Sequence, residues 1–292
     1  MFHGSLVALV TPMTGDGEVD FPCLRRLVDW HVESGTNGLV IAGTTGESAT
    51  LERDEHIEVI RVAAEQADGR LPVIAGTGSN STRQTVDLSV AVAAAPIDGY
   101  LIVTPYYNKP TQQGLVAHFR AVADAVERPV MLYNVPGRTA VDLLPETVAE
   151  LASHPQITSI KEATGEVDRV GRLRALCGDE FGLFSGDDAT SCEFLIAGGQ
   201  GVVSVTANVA PAQMAAMCAA ALAGDRDTAE AADLPLRKLH QDLFVEANPI
   251  PVKWALAQMG RIPGGIRLPL LPLSAGSQPA VQAALKRARI AE

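Results

Sequence analysis

A lysine at position 161 ends the short apolar segment Ile157-Thr158-Ser159-Ile160 and is the first candidate for chemistry in this chain. If the segment is a strand, positions 157, 159 and 161 share one face, which would place the amine among apolar walls. Burial favours the neutral form of an amine, which can attack a ketone or aldehyde and form an iminium. The positive nitrogen of the iminium withdraws electrons, so an enamine can form without an external cofactor, as in aldolase-type chemistry. Alternatively, the amine reaches water or pairs with Glu162.

Two segments could bind anions. In the turn Gly43-Thr44-Thr45-Gly46, small residues allow backbone N–H groups and hydroxyls to converge on a carboxylate, although such turns also have purely structural roles. The turn lacks the GK[ST] ending of a phosphate-binding loop. Arg138, after the turn Pro136-Gly137, offers a planar guanidinium to a second carboxylate, unless it is a solvated surface group. Two anion sites would suit two acidic substrates.

Three of the four tyrosines lie where strands are predicted to end. Tyr133 has the same strand parity as Met131, so its phenol would point across a barrel lumen and could relay protons, unless it is an ordinary core residue. Tyr106 and Tyr107 form an exposed aromatic pair in a predicted loop, which is more typical of a subunit contact.

No pattern in the chain predicts a metal site. The six histidines show no HExxH spacing, and Asp187-Asp188 is more typical of a helix N-cap than of a metal ligand pair. The cysteines occur singly, so we expect reduced thiols, as in a cytoplasmic protein. They are Cys23, Cys177, Cys192 and Cys218.

Short apolar segments alternate with amphipathic segments of helical length. Eight such units in about 220 residues predict a (β/α)8 barrel in residues 1–224, because an open doubly wound sheet usually has fewer strands. The predicted strands are 5–10, 37–42, 72–76, 99–103, 129–133, 157–161, 182–186 and 201–205. In such a barrel, functional residues collect at the carboxyl ends of the strands, so the candidates above would share one rim.

The strand pattern stops near Gly224, and we expect residues 225–292 to form a small C-terminal helical domain. Its predicted helices are 225–244, kinked at Pro235, then 249–260 and 277–291.

The charge argues against two classes of partner. The 292 residues carry 34 Asp and Glu against 23 Lys and Arg, a formal charge of −11 that repels nucleic acids and anionic membranes. No apolar run has the length of a membrane span, and the first residues lack the features of a signal peptide. We therefore expect a soluble cytoplasmic protein.

Five ordered motifs together resemble the dihydrodipicolinate synthase family of pyruvate-dependent class I aldolases. The likeness spans nearly the whole chain and implies a barrel with a C-terminal helical domain, acting as a lyase in diaminopimelate and lysine biosynthesis. The motifs are GTTGES at 43–48, VTPYYN at 103–108, YNVPGRT at 133–139, IKEATG at 160–165 and SGDD at 185–188.

The resemblance implies a role for each candidate. Lys161 would form a Schiff base with pyruvate, whose carboxylate lies near Thr44 and Thr45, and no other cofactor is implied. Tyr133 and Thr44 would form a proton relay, completed by Tyr107 of a neighbouring subunit. Because that relay needs a second copy, and the family usually forms dimers of dimers, we expect a homotetramer.

The second substrate would be L-aspartate 4-semialdehyde, with its carboxylate on Arg138. The backbone carbonyls of Gly186 and Val203 would also line the site. Related lyases of sialic and sugar acids generally lack the arginine, so Arg138 favours the synthase reaction. A lyase of that kind, or a catalytically silent barrel that binds metabolites, remains an alternative.

An inhibitory lysine site is also implied, with two departures from the pattern. The matching positions are Ser48, Ala49, His56, Asn80 and Tyr106, together with Arg53 and Gln84. Inhibited relatives usually have histidine at position 53 and glutamate at position 84. A neutral amide binds the amino group of lysine less well than a carboxylate does, and Arg53 adds like charge, so we expect weak or absent feedback inhibition.

Overall fold

The computed structural model describes residues 2–290, and within them eight parallel strands close into a barrel in sequence order. The predicted (β/α)8 fold is confirmed. The strands are β1 (Gly4–Ala8), β2 (Gly38–Ile41), β3 (Val73–Gly76), β4 (Gly99–Val103), β5 (Val130–Asn134), β6 (Ile157–Glu162), β7 (Gly182–Ser185) and β8 (Gly201–Ser204).

In residues 2–290, nine helices, α1 to α9, accompany the barrel strands, and four more follow them in the chain. They are α1 (Phe21–Glu33), α2 (Arg53–Ala67), α3 (Thr82–Val92), α4 (Gln112–Asp124), α5 (Pro136–Thr139), α6 (Pro145–Leu151), α7 (Arg169–Cys177), α8 (Ser191–Ile196), α9 (Pro211–Leu222), α10 (Arg226–Asp233), α11 (Arg237–Asp242), α12 (Ile250–Gln258) and α13 (Gln278–Arg287). None of these helices within residues 2–290 combines the length and apolarity that crossing a bilayer requires.

Helix α1 illustrates how the sequence sets the outer layer. The Asp20 side chain caps its start by accepting a hydrogen bond from the Cys23 backbone N–H. Leu24, Leu27 and Val28, which are three and four residues apart, are buried on its inner face. The helix therefore packs one apolar face against the barrel.

The barrel lumen has its own apolar core, separate from the layer between strands and helices. Its buried members are Leu6, Ala8, Val40, Ile74, Leu101, Met131, Tyr133, Val135, Phe184 and Val203. The prediction that position 157 shares the lumen face with 159 and 161 is wrong, because Ile157 packs in the outer core. The register with β5 shifts between Val130 and Met131, and this irregularity breaks the alternation of faces at the start of β6.

The C-terminal segment differs in detail from the prediction. The expected kinked helix 225–244 is two helices, α10 and α11, because Pro235 lacks the N–H that a continuous helix would need. The predicted helix 277–291 ends at Arg287, and its position 291 lies outside the described residues. The division into domains at Gly224 remains a prediction.

Candidate active site

Lys161 lies at the carboxyl end of β6 and is almost completely enclosed. The residue is 6% exposed, and its Nζ lies 4.2 Å from the centroid of the Tyr133 ring. The two residues are register partners on adjacent strands. No carboxylate within residues 2–290 approaches the Lys161 amine to 4.0 Å, so the alternative of an ion pair with Glu162 is wrong.

The Glu162 carboxylate instead holds together the ends of β5 and β6. Its Oε2 accepts a hydrogen bond of 3.2 Å from Asn134 Nδ2, which also donates to Asp142 Oδ1 at 2.8 Å. Arg169 donates from Nη1 to Asp142 Oδ1 at 3.0 Å. Burial raises the pKa of Glu162, although Asn134 and Arg169 act in the opposite direction. Because Asn134 and Glu162 directly follow the tyrosine and the lysine, the network fixes both strand ends.

Gly186 lies directly after β7. Because it has no side chain, the Lys161 side chain can occupy the space next to it. A Cβ at this position would be 2.6 Å from Ala163 Cβ and 2.9 Å from Lys161 Cε. Its backbone N–H donates to the Glu162 carbonyl at 2.7 Å. Val203 on β8 is 1% exposed and packs in the lumen core. Both predicted residues therefore lie in the barrel interior or at its rim.

The turn after β2 brings Thr44 and Thr45 to the same rim. Thr45 is 3% exposed, and its Oγ1 accepts a hydrogen bond of 2.9 Å from Asn248 Nδ2. A Cβ on Gly46 would lie 3.0 Å from Ala42 Cα, so the turn is compact enough to require a small residue there.

A buried ion pair anchors the end of this turn. Glu47 adopts a left-handed conformation, with φ of 58°, and its carboxylate accepts a hydrogen bond from Lys253 Nζ on α12. Glu47 also accepts from the Arg267 backbone N–H at 3.2 Å. Burial lowers the pKa of Lys253, against the effect of the neighbouring carboxylate. Removing either partner would leave an uncompensated buried charge.

Sequence reasoning missed Asn248 and Lys253 as parts of this site. Their partners are 203 and 206 residues away in the chain, so no local spacing reveals either contact. The only local signal is the run Asn248-Pro249-Ile250-Pro251, in which polar and rigid residues interrupt a helical pattern.

Arg138 lies in the one-turn helix α5 after β5, where the sequence predicted a turn. The pyrrolidine of Pro136 fits the first helical position and so starts this short helix. Arg138 Nη2 donates to the Asn248 carbonyl at 3.4 Å. Arg138 and Thr44 both line a cavity of 660 Å³, which places the two predicted anion-binding positions around one space.

The same cavity is lined by six of the seven positions of the predicted inhibitor site. They are Ser48, Ala49, Arg53, His56, Gln84 and Tyr106. The seventh, Asn80, follows the lining residue Ser79, and its backbone carbonyl accepts from Asn108 Nδ2 at 2.8 Å. His56 Nε2 lies 2.8 Å from the Gly76 carbonyl, and burial lowers the pKa of His56.

The tyrosine pair after β4 is exposed. Tyr106 is 37% exposed and Tyr107 is 89% exposed. Tyr107 has a φ of 75°, a left-handed conformation that is uncommon for a bulky side chain. Within one chain, Tyr107 is therefore exposed and does not lie enclosed with the other candidate residues.

The acidic pair after β7 has structural partners. Asp187 caps the short 3-10 helix Asp188–Thr190, because its Oδ2 accepts from the Thr190 N–H at 3.1 Å, which confirms the N-cap prediction. Asp188 Oδ2 accepts from the backbone N–H groups of Val205 and Thr206 at 2.9 and 2.8 Å. Across residues 2–290, no three His, Cys, Asp or Glu side chains cluster closely enough to hold a metal ion.

Comparison with known proteins agrees with this geometry. The model of the dihydrodipicolinate synthetase family matches residues 1–288. Two similar proteins are both called 4-hydroxy-tetrahydrodipicolinate synthase. One, from Methylococcus capsulatus, is 59% identical over 290 residues, covering 99% of this chain and 100% of its own. The other, from Alcanivorax borkumensis, is 58% identical over 292 residues, covering 100% of this chain and 99% of its own.

A solved structure is similar over its full length as well. It is a chloride-inhibited dihydrodipicolinate synthase from Acinetobacter baumannii in complex with pyruvate, with 49% identity and a TM-score of 0.98, and 100% of both chains is covered. This chain belongs to the dihydrodipicolinate synthetase family.

Proposed function

We propose that this protein catalyses the 4-hydroxy-tetrahydrodipicolinate synthase reaction, the condensation of pyruvate with L-aspartate 4-semialdehyde followed by cyclisation. It is a lyase of diaminopimelate and lysine biosynthesis. Relatives at 58% and 59% identity have this name over their full length, and the similar Acinetobacter baumannii protein binds pyruvate. The observation that carries the proposal is the enclosed Lys161 amine, which has no carboxylate within 4.0 Å among residues 2–290 and lies against Tyr133.

The reaction begins on Lys161. Its neutral amine attacks the keto carbon of pyruvate, water leaves, and the resulting iminium loses a methyl proton to become an enamine. The enamine carbon bonds to the aldehyde carbon, and the aldehyde oxygen takes up a proton. The amino group of the second substrate then attacks the iminium carbon, closes the ring and releases Lys161. The lysine itself provides the electron-withdrawing group, so the proposal requires no further cofactor.

The other candidates bind the substrates and move protons. Thr44 and Thr45 hold the pyruvate carboxylate, next to the carbonyls of Gly186 and Val203. Tyr133 and Thr44 transfer protons between the reacting carbon atoms, the aldehyde oxygen and water. The compact turn and the network at Glu162 keep these groups in fixed positions, which reduces the entropic cost of reaching the transition state.

The Arg138→Ala variant tests the choice of second substrate. Arg138 can donate two charge-assisted hydrogen bonds to a carboxylate, so we expect the KM for L-aspartate 4-semialdehyde to rise by about 10²-fold. The borohydride-trapped pyruvate adduct should form as in the wild type. A coupled assay measures the first quantity and mass spectrometry the second.

Arg172→Ala is a matched control, because the Arg172 side chain on α7 is 59% exposed and pairs with Glu146 of α6. Its KM should stay within about twofold of the wild type. A lyase of sugar acids makes the opposite prediction: turnover of acylated aminosugar acids and indifference to Arg138→Ala. A silent binding barrel predicts that no adduct is trapped at all.

Tyr107 supports a proposal about assembly. Its exposed side chain and left-handed backbone suit a contact with another copy, and strained backbone tends to persist where it serves a function. We therefore propose that Tyr107 completes the proton relay of a neighbouring subunit within a homotetramer. A solution mass below that of a dimer, with full activity, would contradict it.

Inhibition by lysine should be weak. Gln84 and Arg53 line the cavity. In inhibited relatives position 84 is usually glutamate and position 53 histidine, so in this chain the amino group of a bound lysine would lack the carboxylate partner. We expect half-inhibition only above about 1 mM lysine. Gln84→Glu combined with Arg53→His should lower that concentration by about tenfold in a steady-state assay. Submillimolar inhibition of the wild type would contradict the proposal.

We also propose a cytoplasmic location. All four cysteines are free, as expected in a reducing compartment. Fractionation of cells expressing the protein tests this.

A further inference from the structure

Asn248 contacts both positions that bind substrate carboxylates in the proposed function. It lies between α11 and α12 and is 6% exposed. Its side-chain Nδ2 donates to Thr45 Oγ1 at 2.9 Å, and its backbone carbonyl accepts from Arg138 Nη2 at 3.4 Å. One residue of the C-terminal segment is therefore hydrogen-bonded to two rim residues that follow β2 and β5.

The contact with Thr45 has a defined polarity. A threonine hydroxyl has one hydrogen and two acceptor lone pairs. Because Thr45 Oγ1 accepts from the Asn248 amide, its own hydrogen remains free to donate to another acceptor, which in the proposed function is the pyruvate carboxylate. If the amide were reversed, the hydroxyl would donate to Asn248 Oδ1 and would lose that hydrogen. The observed orientation prepares Thr45 as a donor.

Within the described residues, the Asn248 side chain uses one of its two polar atoms. In the observed orientation Asn248 Oδ1 is buried and has no hydrogen-bonding partner among residues 2–290. Burying an acceptor without a protein partner disfavours the folded state, whereas an apolar side chain of similar size would avoid that cost. The hydrogen bond that the side chain does make runs from Nδ2 to Thr45.

The segment that carries Asn248 is fixed on the turn at a second point. Lys253, five residues further along, forms the buried ion pair with Glu47, two residues after Thr45. Two contacts, which join residues 203 and 206 positions apart in sequence, therefore hold the C-terminal segment against the turn. This limits how far the Asn248 amide can move relative to the Thr45 hydroxyl.

We propose that Asn248 is a positioning residue for the keto-acid carboxylate, acting through the Thr45 hydroxyl. The proposal rests on the proposed function, since it assigns that hydroxyl to pyruvate. Asn248 holds the hydroxyl in the orientation that donates to the carboxylate before the substrate arrives. Its loss leaves Thr45 free to rotate and to donate elsewhere, which weakens pyruvate binding without removing any reacting group.

The Asn248→Ala variant tests this role through the balance of KM and kcat. We expect the pyruvate concentration for half-maximal adduct formation to rise about tenfold, as for loss of one charge-assisted hydrogen bond. At saturating pyruvate, kcat should fall by less than about threefold. An unchanged pyruvate dependence would overturn the proposal. If Asn248→Ala fails to fold, Asn248→Ser also removes the contact and retains a small polar group.

A double-mutant cycle separates action through Thr45 from a general structural effect. In a Thr45→Val background the hydroxyl is absent, so adding Asn248→Ala should change the pyruvate KM by less than about twofold. In the matched Thr45→Ser background the hydroxyl is kept, and the tenfold effect should return. Equal effects in both backgrounds would show that Asn248 does not act through the hydroxyl.

The two proposals fail in distinguishable ways. If wild-type protein forms no borohydride-trapped adduct with pyruvate, the proposed function fails and this inference fails with it. If the wild type forms the adduct and Asn248→Ala forms it at the same pyruvate concentration, the function stands and the role of Asn248 is wrong.

Discussion

The Lys161→Ala variant should form no covalent adduct with pyruvate and should lose more than about 10⁴-fold in kcat/KM. Alanine has no amine to form the iminium, so the enamine pathway is closed rather than slowed. We expect this loss to exceed that of any other single substitution. The other groups of the site bind substrates or transfer protons, and only Lys161 forms the covalent bond on which every later step depends. Borohydride treatment in the presence of pyruvate, followed by intact mass measurement, tests the first part, and a coupled assay tests the second.

The chain offers a matched control for this experiment. It contains five lysines, so peptide mapping assigns a trapped pyruvyl group to one of few sites. Lys286→Met removes an exposed lysine on α13 and should retain full adduct formation and activity. A pyruvyl group on another lysine, or on Lys161→Ala protein, would contradict the proposed mechanism.

Much of the barrel and its rim could be predicted because local patterns determine them. The alternation of apolar segments and helices indicates the fold, and the fold places all strand carboxyl ends at one rim. The sequence alone therefore predicts that Lys161 and Tyr133 lie close together, since each ends its own strand. The Lys161 Nζ lies 4.2 Å from the Tyr133 ring centroid because the two residues are register partners on adjacent parallel strands.

What could not be predicted depends on long-range or irregular structure. Asn248 reaches Thr45 across 203 residues, and the position of the C-terminal helices on the barrel is not encoded in any local period. Period-two reasoning places Ile157 on the wrong face because it assumes a regular strand, and a register shift breaks that assumption. Pro235 lies between α10 and α11 and does not kink a single helix; because proline can kink a helix or interrupt it, the sequence position alone does not distinguish the two outcomes.

The Tyr133→Phe variant should lose about 10²-fold to 10³-fold in kcat and should keep its affinity for pyruvate within a few-fold. Phenylalanine retains the ring that lies against the Lys161 amine, so the shape around the nucleophile is preserved. It lacks the hydroxyl that the proposed mechanism uses to transfer protons after the Schiff base forms. The defect should therefore appear in turnover and not in adduct formation, which separates this tyrosine from Lys161.

Tyr100→Phe is the matched control, because Tyr100 is also a buried strand tyrosine but packs in the outer core, away from the rim. Its kcat should remain within about twofold of the wild type, since its hydroxyl has no part in the proposed proton transfer. If Tyr133→Phe turned over at the wild-type rate, the relay would have to run through another group. If it instead lost pyruvate binding as completely as Lys161→Ala, the phenol would act before the enamine exists, and its role would be in forming the Schiff base.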